Sequence, residues 1–191
     1  WNTPMGISMM DKTLGLLGFG RLGSHTAKIA LAFGMKVQVW SRSMTPERAA
    51  AAGVIAVGLE ELMRTSDVVS NHLALNEGTR GLITGDLLRL MKPTAYFINT
   101  ARAETTDEAA LVELLQQRRI AGAGLDVFLQ EPLPADHPLT TLDNVVLMPH
   151  AGWPADIGYQ SFAEGVTPCI EAWLDGELRN VVNPEAAANR A

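Results

Sequence analysis

The sequence predicts an α/β protein, a Rossmann-type doubly wound parallel sheet of about seven strands. Three observations carry that expectation. Short apolar, β-prone runs alternate with amphipathic Ala/Leu-rich stretches as far as about residue 150, the pattern of repeated βα units. Gly, Pro, Asp or Asn bounds each run. A Gly-x-Gly-x-x-Gly segment lies where the first run gives way to the first helical stretch.

In chain order, strands are expected near 13–17, 36–40, 54–57, 67–72, 95–99, 122–126 and 144–147. Between the first two, Leu22, Ile29, Ala30 and Phe33 recur at helical spacing, and Gly34 stops the helix before Met35 and Lys36 open the next strand. The alanines at 49–52 form a high-propensity helical piece. Asp107 is a good cap for a helix that sets Leu111, Val112, Leu114 and Leu115 on one face and ends at Arg118-Arg119. After Pro149 the alternation stops. Residues 154–174 read as one helix in which Pro168 removes a backbone donor and Cys169 is a buried position. The tail from Asn180 is expected to be disordered. The predicted division is a dinucleotide-binding domain over 1–152 and a helix with its tail over 153–191.

Of the 191 residues, 47% are hydrophobic, enough for a core without disulfides or metal. The net charge of −6, with no run of Lys or Arg, argues against a nucleic-acid-binding surface. Cys169, the single cysteine, can form no internal disulfide, and no Cys/His cluster has zinc-ligand spacing, which suits a reducing cytoplasm and predicts no metal. No stretch reaches membrane-spanning length, and the first residues do not resemble a signal peptide. Trp1 in place of Met points to a start inside a longer gene product.

Gly18-Phe19-Gly20-Arg21-Leu22-Gly23 has the context of a phosphate loop, after a strand and at the head of a helix. Gly18 permits the turn, Gly20 lets backbone approach a diphosphate, Gly23 lets helix pack on strand, and the helix N-terminus faces the negative charge. Dinucleotide folds place an acid about 20 residues further on for the ribose 2′-hydroxyl. Here Ser41, Arg42 and Ser43 occupy that stretch, and a guanidinium with two hydroxyls suits a 2′-phosphate, so NADP is favoured over NAD.

Arg102, Glu131 and His150 follow three successive late strands, where an open parallel sheet puts its ligand crevice. The fork of Arg102 suits a substrate carboxylate, His150 can exchange a proton with a carbonyl oxygen, and Glu131 can orient the imidazole. Together they describe a hydride-transfer site acting on a small 2-oxo or 2-hydroxy acid.

Lys12-Thr13-Leu14-Gly15, Asn99-Thr100-Ala101-Arg102, Leu125-Asp126-Val127-Phe128 and Pro149-His150-Ala151-Gly152 together resemble the D-isomer-specific 2-hydroxyacid dehydrogenase family. The resemblance implies that Arg102 binds substrate and that Glu131 and His150 form the acid/base pair. It also implies that Asp126 meets the nicotinamide carboxamide, with Thr100 and Ala101 lining the nicotinamide site and His72 standing at a histidine position of the family. Trp-Ser-Arg-Ser at 40–43 is similar to the NADPH-preferring glyoxylate/hydroxypyruvate reductases, and Glu131 differs from the Gln expected of formate dehydrogenases. A homodimer built through this domain is implied too.

The sequence departs from the family at Ala103-Glu104, where Gly usually follows the arginine, and at Asn71 and Ala74, which replace an apolar residue and a proline. Most of the substrate domain, which in the family precedes the Trp1 equivalent, is absent from these residues. Two other readings are a corepressor-like protein whose assembly is gated by cofactor, and an inactive truncated product.

Overall fold

The computed structural model describes residues 6–183 and residue 185. Among them, β1 (Thr13–Leu17), β2 (Lys36–Trp40), β3 (Ile55–Ala56), β4 (Val68–Asn71), β5 (Tyr96–Asn99), β6 (Gly122–Leu125) and β7 (Val145–Leu147) form one sheet. Its order is β3-β2-β1-β4-β5-β6-β7, and every neighbouring pair is parallel. The chain therefore runs outward from β1 in one direction, then returns to its other side at β4. That reversal opens a crevice at the carboxyl ends of β1 and β4.

The crossovers hold α1 (Arg21–Ala32), α2 (Pro46–Ala51), α3 (Leu59–Thr65), α4 (Gly85–Arg89) and α5 (Glu108–Gln116). Local chemistry sets their ends. Gly34 takes φ +75 just past α1, a conformation that costs an L-residue its Cβ clearance. Thr45, Thr84 and Asp107 accept backbone N–H bonds as N-caps of α2, α4 and α5. Strand alternation feeds two cores: Leu14 and Leu16 of β1 enter one cluster with Ala27, Ala30, Val37 and Val39, while Leu17 enters the other with Val69, Phe97, Leu111 and Leu115.

The apolar spacing that marks α1 as helical does not mark its buried face. Gly23, Ala27 and Ala30 are its buried residues, whereas Leu22, Ile29 and Phe33 are 66%, 60% and 58% exposed. Small side chains let the helix lie close to the sheet, and the bulky ones point away. On α5 the expected face is the buried one, with Leu111, Leu114 and Leu115 in the core and Val112 packed at its margin.

The chain divides into two compact units, one ending at His150 and one beginning at Ala151. The second contains α6 (Asp156–Leu174), with Pro168 inside it. No residue of α6 is buried, so Cys169 is a half-buried helix position rather than the interior one expected. Within this unit Trp153 packs against Tyr159 and Phe162, with ring centroids 5.7 and 6.4 Å apart. Residues 180–183 form no helix or strand, and most of the remaining tail, for which disorder was expected, lies outside the described residues.

Candidate active site

The glycine segment sits at the carboxyl end of β1, and each glycine has its own steric reason. Gly18 has φ +99, and a Cβ there would come within 2.9 Å of the His72 carbonyl oxygen. A Cβ on Gly23 would lie 2.4 Å from the Gly18 carbonyl oxygen. Gly20 differs: its Cβ would meet nothing within 4 Å, so the position is bare where the cradle opens. Gly20 also precedes α1 without any side-chain cap, and no acid stands in the first turn, so the N–H groups at Arg21, Leu22 and Gly23 have no partner within the helix and suit an anion. A diphosphate fits this cradle because backbone donors and open space coincide.

Ser41, Arg42, Ser43 and His72 line the same cavity as Gly18 and Gly20, about 340 Å³ in volume. Arg42 is held from the loop after β4: its Nη2 donates to Asn76 Oδ1 at 3.4 Å, and a Cβ on Gly78 would lie 2.7 Å from its Nη1. Ser41 Oγ and Ser43 Oγ are 3.4 Å apart. His72 is hydrogen-bonded through Nε2 to Ser70 Oγ at 3.0 Å, and burial pushes its imidazole below the ordinary value, so the ring stands neutral under the glycine turn.

Beyond β5, β6 and β7 the other expected residues gather at the same edge of the sheet. His150 Nδ1 and Glu131 Oε2 are 2.8 Å apart. Glu131 Oε1 accepts the Phe128 N–H at 3.0 Å. The His150 bond, then the Phe128 bond, holds the Glu131 carboxyl below the usual carboxylate range, and the nearby Arg102 charge acts in the same direction. An ionised Glu131 makes Nδ1 the donor and leaves Nε2 as the ring nitrogen for proton exchange. The pair lines an apolar cavity of about 470 Å³ with Phe128, Leu133, Leu147 and Met148. His150 itself adopts φ 53, an uncommon backbone for a side-chain-bearing residue.

Arg102 stands exposed in the turn after β5, beside Thr100 and Ala101, with Nη1 donating to the Ala101 carbonyl at 2.6 Å. Asp126 is buried immediately after β6, and its N–H bonds to Asn99 O at 3.0 Å. Thr100, Ala101 and Asp126 line neither of these two cavities. The unusual Ala103-Glu104 pair fits without strain. Arg102 is extended at φ −147, and a 3-10 turn (Ala103–Thr105) follows with Ala103 buried, so the backbone requires no glycine there.

Polar residues that the sequence reading missed organise both ends. Asn71, fully buried, donates from Nδ2 to Asn99 Oδ1 at 3.1 Å and to Thr105 Oγ1 at 2.7 Å. Asn99 Nδ2 and Thr105 Oγ1 in turn donate to the Arg102 carbonyl at 3.1 and 2.8 Å. The departure at Asn71 thus ties the loop after β4 to the turn carrying Arg102. Its polarity at a usually apolar position was the available signal. Asn76 and Arg48 gave none, because their partners are distant in sequence or meet them only across a helix start.

Comparisons with known proteins agree with this geometry. Residues 1–152 match the family model described as D-isomer specific 2-hydroxyacid dehydrogenase, NAD binding domain. A glyoxylate reductase of Aeropyrum pernix is 48% identical over 153 residues, covering 79% of this chain and 46% of the relative. A Ralstonia solanacearum structure described as a D-3-phosphoglycerate dehydrogenase oxidoreductase superposes with a TM-score of 0.90 at 38% identity, over 96% of this chain and 54% of the other. An acyclic imino acid reductase in complex with NADPH and D-Arg superposes with a TM-score of 0.78 at 37% identity, over 93% and 56%. The chain therefore spans about half the length of the relatives it matches. No helix among the described residues is long and apolar enough to cross a membrane.

Proposed function

Because the chain belongs to the D-isomer specific 2-hydroxyacid dehydrogenase family through its NAD-binding domain, we propose that it is the cofactor half of an oxidoreductase reducing small 2-oxo acids, or oxidising the corresponding 2-hydroxy acids. The observation that carries this reading is the shared sheet edge: the glycine cradle, Arg102 and the Glu131–His150 pair all lie at carboxyl ends of parallel strands. A nicotinamide held there would supply the hydride to substrate C2, or accept it in the reverse direction. Arg102 holds the substrate carboxylate, and His150 gives a proton from Nε2 to the carbonyl oxygen in reduction or takes it back in oxidation. Glu131 keeps the imidazole turned for that exchange. Asp126 would hold the carboxamide of a nicotinamide, and Thr100 and Ala101 would stand beside its ring.

NADP is the favoured cofactor, since Ser41, Arg42 and Ser43 stand where a carboxylate would select the unphosphorylated ribose. Residues 1–152 are assigned to the dinucleotide domain, by their match to the NAD-binding family model, and 153–191 to a C-terminal helix and tail. The outward stripe of Leu22, Ile29 and Phe33 on α1 suits a homodimer contact. The lone cysteine fits a cytoplasmic setting.

Titration of the chain with NADPH and NADH, followed by fluorescence, tests the reading directly. Binding of NADPH in preference to NADH is expected, with little reduction of glyoxylate or hydroxypyruvate by these residues alone. Failure to bind either cofactor would overturn the proposal, and rapid turnover would overturn the need for a facing domain. Arg42→Asp should lower the NADPH/NADH affinity ratio by about tenfold or more, given that one charge-assisted contact is worth on the order of 1.5–3 kcal/mol.

A further inference from the structure

A second guanidinium stands at the adenosine end of the cradle. Arg48 lies in the first turn of α2, where Pro46 opens the helix and Thr45 Oγ1 accepts the Arg48 N–H at 3.2 Å. A helical side chain leans toward its own N-terminus, which returns this one over the segment 41–43. Arg48 Nη1 donates to Ser43 Oγ at 3.0 Å and to the Ser43 carbonyl at 3.3 Å. Nη2 donates to the Phe19 carbonyl at 2.7 Å, and the guanidinium carbon lies 5.5 Å from the centroid of the Phe19 ring. One planar fork thus joins the segment after β2 to the middle of the glycine turn.

Three features separate this residue from a solvated surface charge. Its fork is fixed by two carbonyls, a hydroxyl and a ring face. Among the described residues, neither Arg48 nor Arg42 pairs with a carboxylate, so both charges stay unneutralised: Arg42 lines the cavity, and Arg48 stands behind it, bonded to Ser43 and Phe19 of its lining. Arg48 also occupies an acceptor position of Ser43 Oγ, which turns that hydroxyl into a donor, with Ser41 Oγ 3.4 Å away as its acceptor until an anion takes that place.

We propose that Arg48 is a specificity-determining and positioning residue for a 2′-phosphorylated adenosine: it orients Ser43, adds a second fixed charge at the segment that carries Arg42 and ties Ser43 to the glycine loop through Phe19. This rests on the NADP reading above. A phosphate monoester gains from the second charge and the oriented hydroxyl, whereas a free 2′-hydroxyl gains little from either. The link to Phe19 serves both cofactors alike.

The test uses this chain and its Arg48→Gln and Arg48→Lys variants, titrated with NADPH, NADH and adenosine 2′,5′-bisphosphate, with thermal midpoints recorded in parallel. Arg48→Gln should weaken NADPH and the bisphosphate by about tenfold and NADH by less than about threefold, so the ratio falls. Arg48→Lys, which keeps the charge but cannot bridge Ser43 and Phe19, should fall between. Equal weakening of both cofactors, or no change in the ratio, overturns the assignment and leaves Arg48 a structural tie. An unmodified chain that prefers NADH, with a ratio indifferent to Arg42→Asp, removes the NADP reading itself. An NADPH preference reversed by Arg42→Asp but untouched by Arg48→Gln removes this inference alone.

Discussion

The cradle after β1 and the acid–base group after β5, β6 and β7 share one sheet edge but are made of different material. At the cradle, backbone would do the binding: the turn and the start of α1 are shaped by glycine-only geometry at Gly18 and by close packing at Gly23, while Gly20 leaves the space open. At the other end, three side chains do it. His150 and Glu131 keep 41% and 37% of their side chains exposed, and Arg102 is exposed as well. Charges in that state are screened by water, and an ion pair there contributes little. The difference teaches that a cradle suited to a diphosphate can be shaped by backbone within this one sheet, whereas the proposed proton-transfer site gains its strength only when a second surface covers it.

The strongest test of that separation is His150→Asn, placed in a longer polypeptide that also carries the part of the relatives which this chain does not span. Turnover should fall by about 10²–10⁴-fold while NADPH affinity stays within about twofold, because the ring acts on substrate and not on the dinucleotide. A parallel loss of cofactor affinity would erase the distinction between the two ends.

Next in size is a pair of glycine substitutions measured by urea unfolding and by NADPH titration. Gly20→Val adds a side chain to open space at an ordinary extended φ of −81, so stability should hold while affinity drops by about a hundredfold. Gly23→Val instead drives a Cβ toward the Gly18 carbonyl, and about 1–3 kcal/mol of stability should be lost. Equal destabilisation by both would make Gly20 a folding residue like its neighbour.

The smallest expected effect sharpens the contrast in burial. The folded His72 imidazole titrates below its ordinary value because it is buried, so in that interval the unfolded chain binds more protons. Its contribution is fully present above about pH 6.5 and is lost as pH falls through the depressed folded value. Urea midpoints at pH 7 and pH 5 should therefore differ, and His72→Gln should remove part of the difference. The Glu131 contribution, also from a depressed value, belongs to a more acid window below the usual carboxylate range.

How much of this was legible in the sequence depended on how local each cause is. β1 and β2 fall where the apolar runs begin and end, because glycine and polar boundaries are written into the chain. α3 and α4, seven and five residues long, are too short to show a helical period. The buried face of α1 was misleading for a physical reason: close packing on a sheet selects Gly23, Ala27 and Ala30, which carry almost no apolar signal. Arg42 was found because a single expected acid was missing. Arg48 was not, because its meaning lies in a bond to Phe19 that exists only once the glycine turn and α2 are side by side. Likewise Asn71 could be seen as odd, but its tie to Asn99 and Thr105 requires β4 and β5 to be neighbours.

The left-handed backbone at His150 changes how substitutions there have to be interpreted. Asparagine tolerates that region, but a β-branched residue does not, and valine at 150 would reshape the turn as well as delete the imidazole. An inactive valine variant would then report on loop shape, and only replacements that keep the same φ isolate the chemistry of the ring.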